Sequence, residues 1–176
     1  MKQNFVCFNN MVHKNTIKFI LKHGGFNKMI RATCFFINDK IKRSNINFEK
    51  NKLILGKYKF QTIEKDEGIS TELQIYQSHE PLTTHLMINE LKQNMICIDL
   101  GSNIGYYAVI ESNIVGESGK IFAIEPSPVN FPILKSNLEN QKMNNFLAYN
   151  IAIGDKNENM EFIISSKSNW SKIRMN

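Results

Sequence analysis

The fold of this 176-residue chain is decided by the stretch Met95-Ile96-Cys97-Ile98-Asp99-Leu100-Gly101-Ser102-Asn103-Ile104-Gly105. It begins as a short apolar run of the kind found in a buried strand, and it continues into a turn with two glycines. In open α/β sheets, ligands bind at the carboxyl ends of the strands, where such turns lie. The stretch therefore predicts a strand that ends at a binding site.

The pattern that follows alternates helices with short apolar strands. The expected elements are a helix over 104–115, a strand over 120–124, a helix with Ser127 as N-cap and Pro128 at its first position, a strand over 146–152 and a further apolar run over 160–164. Short links between such elements are typical of parallel strands. We predict an α/β fold with a Rossmann-like, doubly wound, mainly parallel sheet, of which this chain contains part.

Upstream, the chain is predicted to form an N-terminal helix and a β-hairpin. Apolar and Lys positions recur at helical spacing from Val12 to His23. Residues 52–60 and 70–76 are expected to pair as the hairpin, with a polar loop over 65–68. A helix is expected from Pro81 to about Lys92. We therefore divide the chain into a basic extension, residues 1–68, and a domain over residues 69–176.

Charge and cysteine content limit the function classes. Residues 1–60 contain 13 Lys and Arg against 2 acids, whereas residues 61–176 contain 9 against 14. A basic face of this kind can meet an anionic surface, but it lacks the interleaved aromatic residues that stack on nucleic acid. The three cysteines form no CxxC pair, so neither a disulfide framework nor a metal site is expected. Without a membrane-length apolar run, we expect a cytoplasmic protein.

Two acids flank the glycine turn in a pattern that suits an adenosine cofactor. Gly101 and Gly105 allow close approach of a ligand to the backbone, and Glu125 follows 20 residues later at the end of the next strand. An acid there accepts hydrogen bonds from ribose hydroxyls. The turn lacks the G-x-G-x-x-G pattern of nicotinamide enzymes, and Asp99 suits a cationic ammonium. S-adenosylmethionine is thus the expected cofactor, and an NAD-dependent oxidoreductase is the weaker alternative.

Residues 69–173 resemble the FkbM-type branch of the class I S-adenosylmethionine-dependent methyltransferases. The matching stretches are 97–107, 122–128 and 150–155. The resemblance implies methyl transfer, usually to an oxygen of a sugar or other small metabolite. It extends the adenosine site, which then consists of Asp99, Gly101, Ser102, Asn103, Gly105, Glu125, Pro126, Asn150 and Ala152.

The resemblance also implies elements beyond Asn176, so we expect a C-terminally truncated domain. The strand over 95–98 then has an unpaired edge through which copies of the chain can associate. No catalytic base stands out, and His79 and Glu80 are the nearest candidates. The tail over 165–170 is expected to fray or to order over an acceptor. A non-catalytic cofactor-binding remnant or interaction module is therefore the second hypothesis.

Overall fold

A computed structural model of the chain describes residues 34, 37–45, 51–157, 161–165 and 167–174, with the backbone alone for 51–53 and 173. The chain divides into two compact units, Met1–Asn45 and Ile46–Asn176. In the first unit, residues 37–44 are helical, and Arg43 Nε lies 2.9 Å from Asp39 Oδ2 one turn away. The helix predicted from Val12 to His23 lies outside the described residues.

The second unit contains strands, helices and one short 3-10 turn. Its described elements are, in chain order, β1 (Asn51–Ile54), β2 (Tyr58–Gln61), α1 (Ile69–Tyr76), α2 (Pro81–Glu90), β3 (Ile96–Leu100), α3 (Tyr106–Val115), β4 (Lys120–Ile124), α4 (Phe131–Glu139), β5 (Phe146–Tyr149), β6 (Phe162–Ile163), the 3-10 turn Ser168–Trp170 and β7 (Lys172–Ile173). Across the part of the chain that the structure describes, no helix combines the length and the hydropathy needed to cross a membrane.

The central sheet is parallel, with strand order β3-β4-β5, and α3 and α4 connect its strands. This arrangement confirms the predicted α/β, Rossmann-like fold. In the register, Leu100 lies beside Ile124, and Ile124 lies beside Tyr149, so the three strands end at the same level. The apolar run over 160–164 does not extend this sheet, because β6 pairs antiparallel with β7.

The core lies on one face of this sheet. Ile121 and Ala123 of β4 are fully buried with apolar side chains of α3 and α4. On the opposite face, the structure leaves Ile96, Ile98 and Leu100 of β3 between 60% and 73% exposed. Within the described residues, β3 pairs on one side alone, with β4. Self-association through this edge stays a prediction.

The β-hairpin differs from the sequence prediction. It pairs β1 with β2, whereas residues 70–76, the predicted second strand, lie in α1. Leu55 and Gly56 both have positive φ angles, 48° and 68°, and two such residues form the tight turn that closes this hairpin. Helix α1 begins where it does because Asp66 accepts hydrogen bonds from the N–H groups of Gly68 and Ser70, both at 2.9 Å.

The start of α4 also differs from the prediction. Ser127 is not the N-cap: its Oγ accepts hydrogen bonds from the N–H groups of Val129 and Asn130, both at 3.3 Å, and closes a turn before the helix. The N-cap is Asn130, and Pro132 lies in the first turn of the helix. The polar Ser127-Pro128 pair thus marks a turn at the end of β4 and not the helix boundary.

Candidate functional site

Three strand ends meet at one edge of the sheet and form the candidate site. The turn after β3 is bound to β4, because the N–H groups of Gly101 and Ser102 donate to Ile124 O at 2.8 and 3.0 Å. Ser102 Oγ accepts the Ile124 N–H at 3.1 Å. At the end of β5, Asn150 Nδ2 donates to Glu125 O at 2.8 Å. The predicted turn and the predicted acid are therefore neighbours.

The two glycines of the turn have different physical roles. Gly101 has a φ of 78°, and a Cβ placed on it would meet nothing within 4 Å, so its backbone faces open space. Gly105 has a φ of 91°, and a Cβ there would lie 2.7 Å from Leu134 Cδ1. Gly101 thus leaves room for a ligand, whereas Gly105 lets α3 pack closely against α4.

Glu125 is buried beneath the turn and is 5% exposed. Its Oε2 accepts the Asn103 N–H at 2.7 Å, and its Oε1 accepts the Ser127 N–H at 2.8 Å. An ionised carboxylate has about four lone-pair positions, so these two strong bonds leave acceptor capacity. Glu125 therefore fixes the turn and can still accept hydrogen bonds from a ligand.

A cavity of about 220 Å³ lies above the turn. Five of the predicted site residues line it, namely Gly101, Ser102, Asn103, Glu125 and Pro126. The other four do not line it. Gly105 packs against α4, and Asn150 is bonded to the backbone of Glu125. Ala152 is exposed on the surface, and Asp99 lies behind the turn. The structure therefore brings the turn and Glu125 together around one space.

Asp99 and Glu111 are two half-buried acids behind the turn, and the charge of Asp99 acts on Glu111. Asp99 Oδ2 and Glu111 Oε2 are buried with no hydrogen-bond partner in the described residues. Burial raises the pKa of Asp99, and the charge of Glu125 raises it further. Burial, with a smaller effect of the Asp99 charge, raises the pKa of Glu111 to about 7. A cationic group that reached Asp99 would relieve this repulsion.

We expect Glu111→Gln to stabilise the protein above pH 7 and to have little effect near pH 4. The pKa of Glu111 rises from its ordinary 4.5 to about 7 on folding, so the wild-type protein loses stability as the pH rises from 4.5 through 7. Glutamine does not titrate, and the group is partly solvated, so the expected gain at pH 8 is about 1–2 kcal/mol. Urea unfolding of both proteins at pH 4.5 and pH 8 measures it, and an equal difference at the two pH values would contradict it.

Two parts of the cavity wall come from segments that contain no predicted cofactor-binding residue. His79, before α2, lines the cavity, and its Nδ1 lies 2.6 Å from Glu72 Oε2. Ser168, Asn169 and Ser171 line it from the other side. Ser168, in the tail expected to fray or to order over an acceptor, is buried and bonded to Asp66.

Comparison with known proteins identifies the family. Residues 27–161 match the family described as protein-L-isoaspartate(D-aspartate) O-methyltransferase (PCMT). No curated protein matches the chain.

Among solved structures, the chain is similar to a protein-L-isoaspartate O-methyltransferase (20% identity, 68% of this chain and 41% of that chain, TM-score 0.39). It is also similar to an S-adenosylmethionine-dependent O-methyltransferase from Thermotoga maritima (21% identity, 42% of this chain and 29% of that chain, TM-score 0.39). A third similar structure is an S-adenosylmethionine-dependent methyltransferase from Aquifex aeolicus (20% identity, 47% of this chain and 43% of that chain, TM-score 0.36). The chain therefore spans less than half the length of each of these three proteins.

The family match covers most of the chain, from the basic segment through the strand ends that form the cavity. It does not confirm the FkbM-type subtype, which stays a prediction. The chain belongs to the protein-L-isoaspartate(D-aspartate) O-methyltransferase family, whose members have the class I methyltransferase fold and use S-adenosylmethionine as cofactor.

Proposed function

We propose that this chain binds S-adenosylmethionine above the glycine turn and takes part in methyl transfer to an oxygen atom. The observation that supports this most directly is Glu125, a buried carboxylate at the end of β4 that lines the cavity beside the turn. Carboxylates at this position of a βαβ unit accept hydrogen bonds from ribose hydroxyls. Membership of a methyltransferase family agrees with this assignment.

The residues present fit such a cofactor. The backbone at Gly101 borders open space, Glu125 has unused acceptor capacity, and Asp99 has a buried oxygen without a partner among the described residues. Glu125 would hold the ribose, and the charge of Asp99, which does not line the cavity, would attract the ammonium from behind the turn. S-adenosylmethionine, when bound, supplies a methyl group activated by the adjacent sulfonium.

The chain's own contribution to the reaction is to hold and orient the reactants. Methyl transfer by in-line displacement depends mainly on such positioning. Glu125, through the Asn103 N–H at 2.7 Å, keeps the turn in one conformation before any ligand arrives. Tyr106 and Phe162 line the cavity with aromatic rings and would give a bound reactant an apolar wall to pack against.

The family description and the sequence resemblance suggest two different methyl acceptors. The family description names an isoaspartyl residue, whose acceptor atom is a carboxylate oxygen. The FkbM-type resemblance of residues 97–107 and 122–128 favours a hydroxyl oxygen of a sugar or small metabolite. Both are oxygen acceptors, and they differ in charge and in the need for a base.

Calorimetric titration of the 176-residue chain tests the proposed cofactor. We expect S-adenosylmethionine and S-adenosylhomocysteine to bind at one site, about tenfold or more tightly than NAD, because the turn lacks the nicotinamide fingerprint. Binding without methyl transfer would favour the non-catalytic module over the enzyme. Equal or tighter binding of NAD would overturn the cofactor assignment.

A further inference from the structure

A short segment near the end of the chain forms part of the cavity wall, and we call residues 167–171 the strap. Its side chains Ser168, Asn169 and Ser171 line the same cavity as Glu125. The strap therefore borders the space in which the ribose acceptor is proposed to work.

The strap also borders a second, smaller cavity of about 110 Å³. Ser168 and Ser171 line both cavities, so the strap lies between them. Asn130, Ile164 and the loop over 63–66 are among the residues that line the second cavity. Protein interiors are rigid because they are closely packed, and a segment between two cavities lacks that support. The second cavity thus gives the strap room to move.

One buried carboxylate and one glycine hold the strap in place. Asp66 Oδ1 accepts the Ser168 N–H at 2.8 Å, and Asp66 Oδ2 accepts the Ser168 hydroxyl at 2.9 Å. A Cβ placed on Gly68 would lie 2.7 Å from Asn169 Oδ1 and 3.1 Å from the Ser168 nitrogen. Glycine at position 68 therefore makes the close approach of the strap possible. We call the Asp66–Ser168 bonds the latch.

The outer part of the strap has little packing to hold it. Trp170 is 57% exposed, and its ring centroid lies 4.1 Å from Lys167 Nζ, a contact within the strap itself. The strands β6 and β7 pair over two residues each. Segments with few buried contacts and short hydrogen-bond ladders open at low cost in free energy. Breaking the latch would therefore release the strap while the central sheet stays folded.

The strap is connected to Glu125 through Asn130. Asn130 Nδ2 lies 3.4 Å from Ser168 O and 3.5 Å from Glu125 Oε1. Glu125 is 5% exposed, whereas the proposed function requires a ribose to reach its carboxylate. Displacement of the strap would break the contact between Asn130 and Ser168 and open the side of the cavity next to Glu125.

We propose that the strap is a gate, which moves toward the second cavity to admit the nucleoside of the methyl donor and closes when Ser168 binds Asp66 again. This inference rests on the proposed function. The closed strap supplies one wall of the site, and the open strap is the minor state through which the ligand enters. The apparent association rate constant is then reduced to the open fraction of its intrinsic value, so the latch sets the rate of entry.

Trp170 is the single tryptophan of the chain and reports directly on the strap. Stopped-flow fluorescence of the whole chain mixed with S-adenosylhomocysteine gives the association and dissociation rate constants. We expect Ser168→Ala, which removes one latch bond, to raise both roughly three- to tenfold. Ser118→Ala, at an exposed serine outside the cavity, is the matched control and should behave as the wild type. An unchanged association rate constant in Ser168→Ala would overturn the gate, because a fixed wall that lost a ligand contact would change dissociation alone.

A second variant, Gly68→Ala, separates gating from direct contact with the ligand. Gly68 does not line the cavity, but an added Cβ would press on Asn169 and push the strap away from Asp66. We expect the association rate constant to rise roughly three- to tenfold here as well. A value equal to or below that of the wild type would contradict the gate.

Trypsin cleavage of the ligand-free chain tests opening without any ligand. Lys167 lies in the strap, and exposed Lys142, in the turn between α4 and β5, is the internal reference. We expect Ser168→Ala to raise cleavage after Lys167 roughly three- to tenfold without changing cleavage after Lys142. Equal cleavage after Lys167 in variant and wild type would overturn the gate. If S-adenosylhomocysteine gives no heat in calorimetry, the proposed function fails, and the cleavage rates still decide whether the strap opens.

Discussion

Replacing Glu125 with alanine is expected to weaken binding of S-adenosylhomocysteine by about 100-fold or more. The side chain is 5% exposed and accepts the backbone N–H groups of Asn103 and Ser127, so its removal leaves two donors without partners and frees the turn. It also removes the acceptor proposed for the ribose. Calorimetry measures the loss, and Glu117→Ala, at an exposed turn position outside the cavity, is the matched control.

A paired-ligand experiment separates the two roles of Glu125. Adenosine and 2′,3′-dideoxyadenosine differ in the hydroxyls that Glu125 would accept, and both can be titrated into the wild type and into Glu125→Gln. If Glu125 holds the ribose, the preference of the wild type for adenosine, about tenfold, should disappear in the variant. An equal loss of affinity for both ligands would show that Glu125 acts through the turn alone.

The central βαβαβ segment could be predicted from sequence because each of its signals is local. Strand β4 has the predicted bounds, and the acid at its end lies beside the predicted turn. Periodicity, glycine position and strand-end chemistry are all contained within a few residues. Five of the nine site residues expected from these signals line the cavity.

The hairpin and the outer cavity wall depend on contacts that short windows of sequence do not contain. Residues 70–76 are rich in Ile, Leu and Tyr, which suits a strand, yet Asp66 binds the first N–H groups of α1 and a helix results. Ser168 reaches the cavity because it is bonded to a carboxylate 102 positions earlier in the chain. A polar Ser-Asn segment near the end of a sequence shows no periodicity that would reveal this.

Asp66 joins these two regions, and its replacement should have the largest effect on stability. Oδ1 accepts the N–H groups of Gly68 and Ser168, at 2.9 and 2.8 Å, and Oδ2 accepts the Ser70 N–H and the Ser168 hydroxyl, both at 2.9 Å. Since Asp66 is 4% exposed, Asp66→Ala leaves these donors buried without an acceptor. We expect a loss of about 3–5 kcal/mol in the free energy of unfolding.

A graded series tests whether this bond set, and not the charge alone, stabilises the fold. Ser168→Ala removes one donor and should cost about 1 kcal/mol, whereas Asp66→Asn, which turns an amide NH₂ toward an N–H, should cost about 2 kcal/mol. Exposed Asp155→Ala is the control and should change stability by less than about 0.5 kcal/mol. Urea unfolding ranks the variants. If Asp66→Ala proved no more destabilising than Asp155→Ala, the Asp66–Ser168 connection would not stabilise the wall of the cavity.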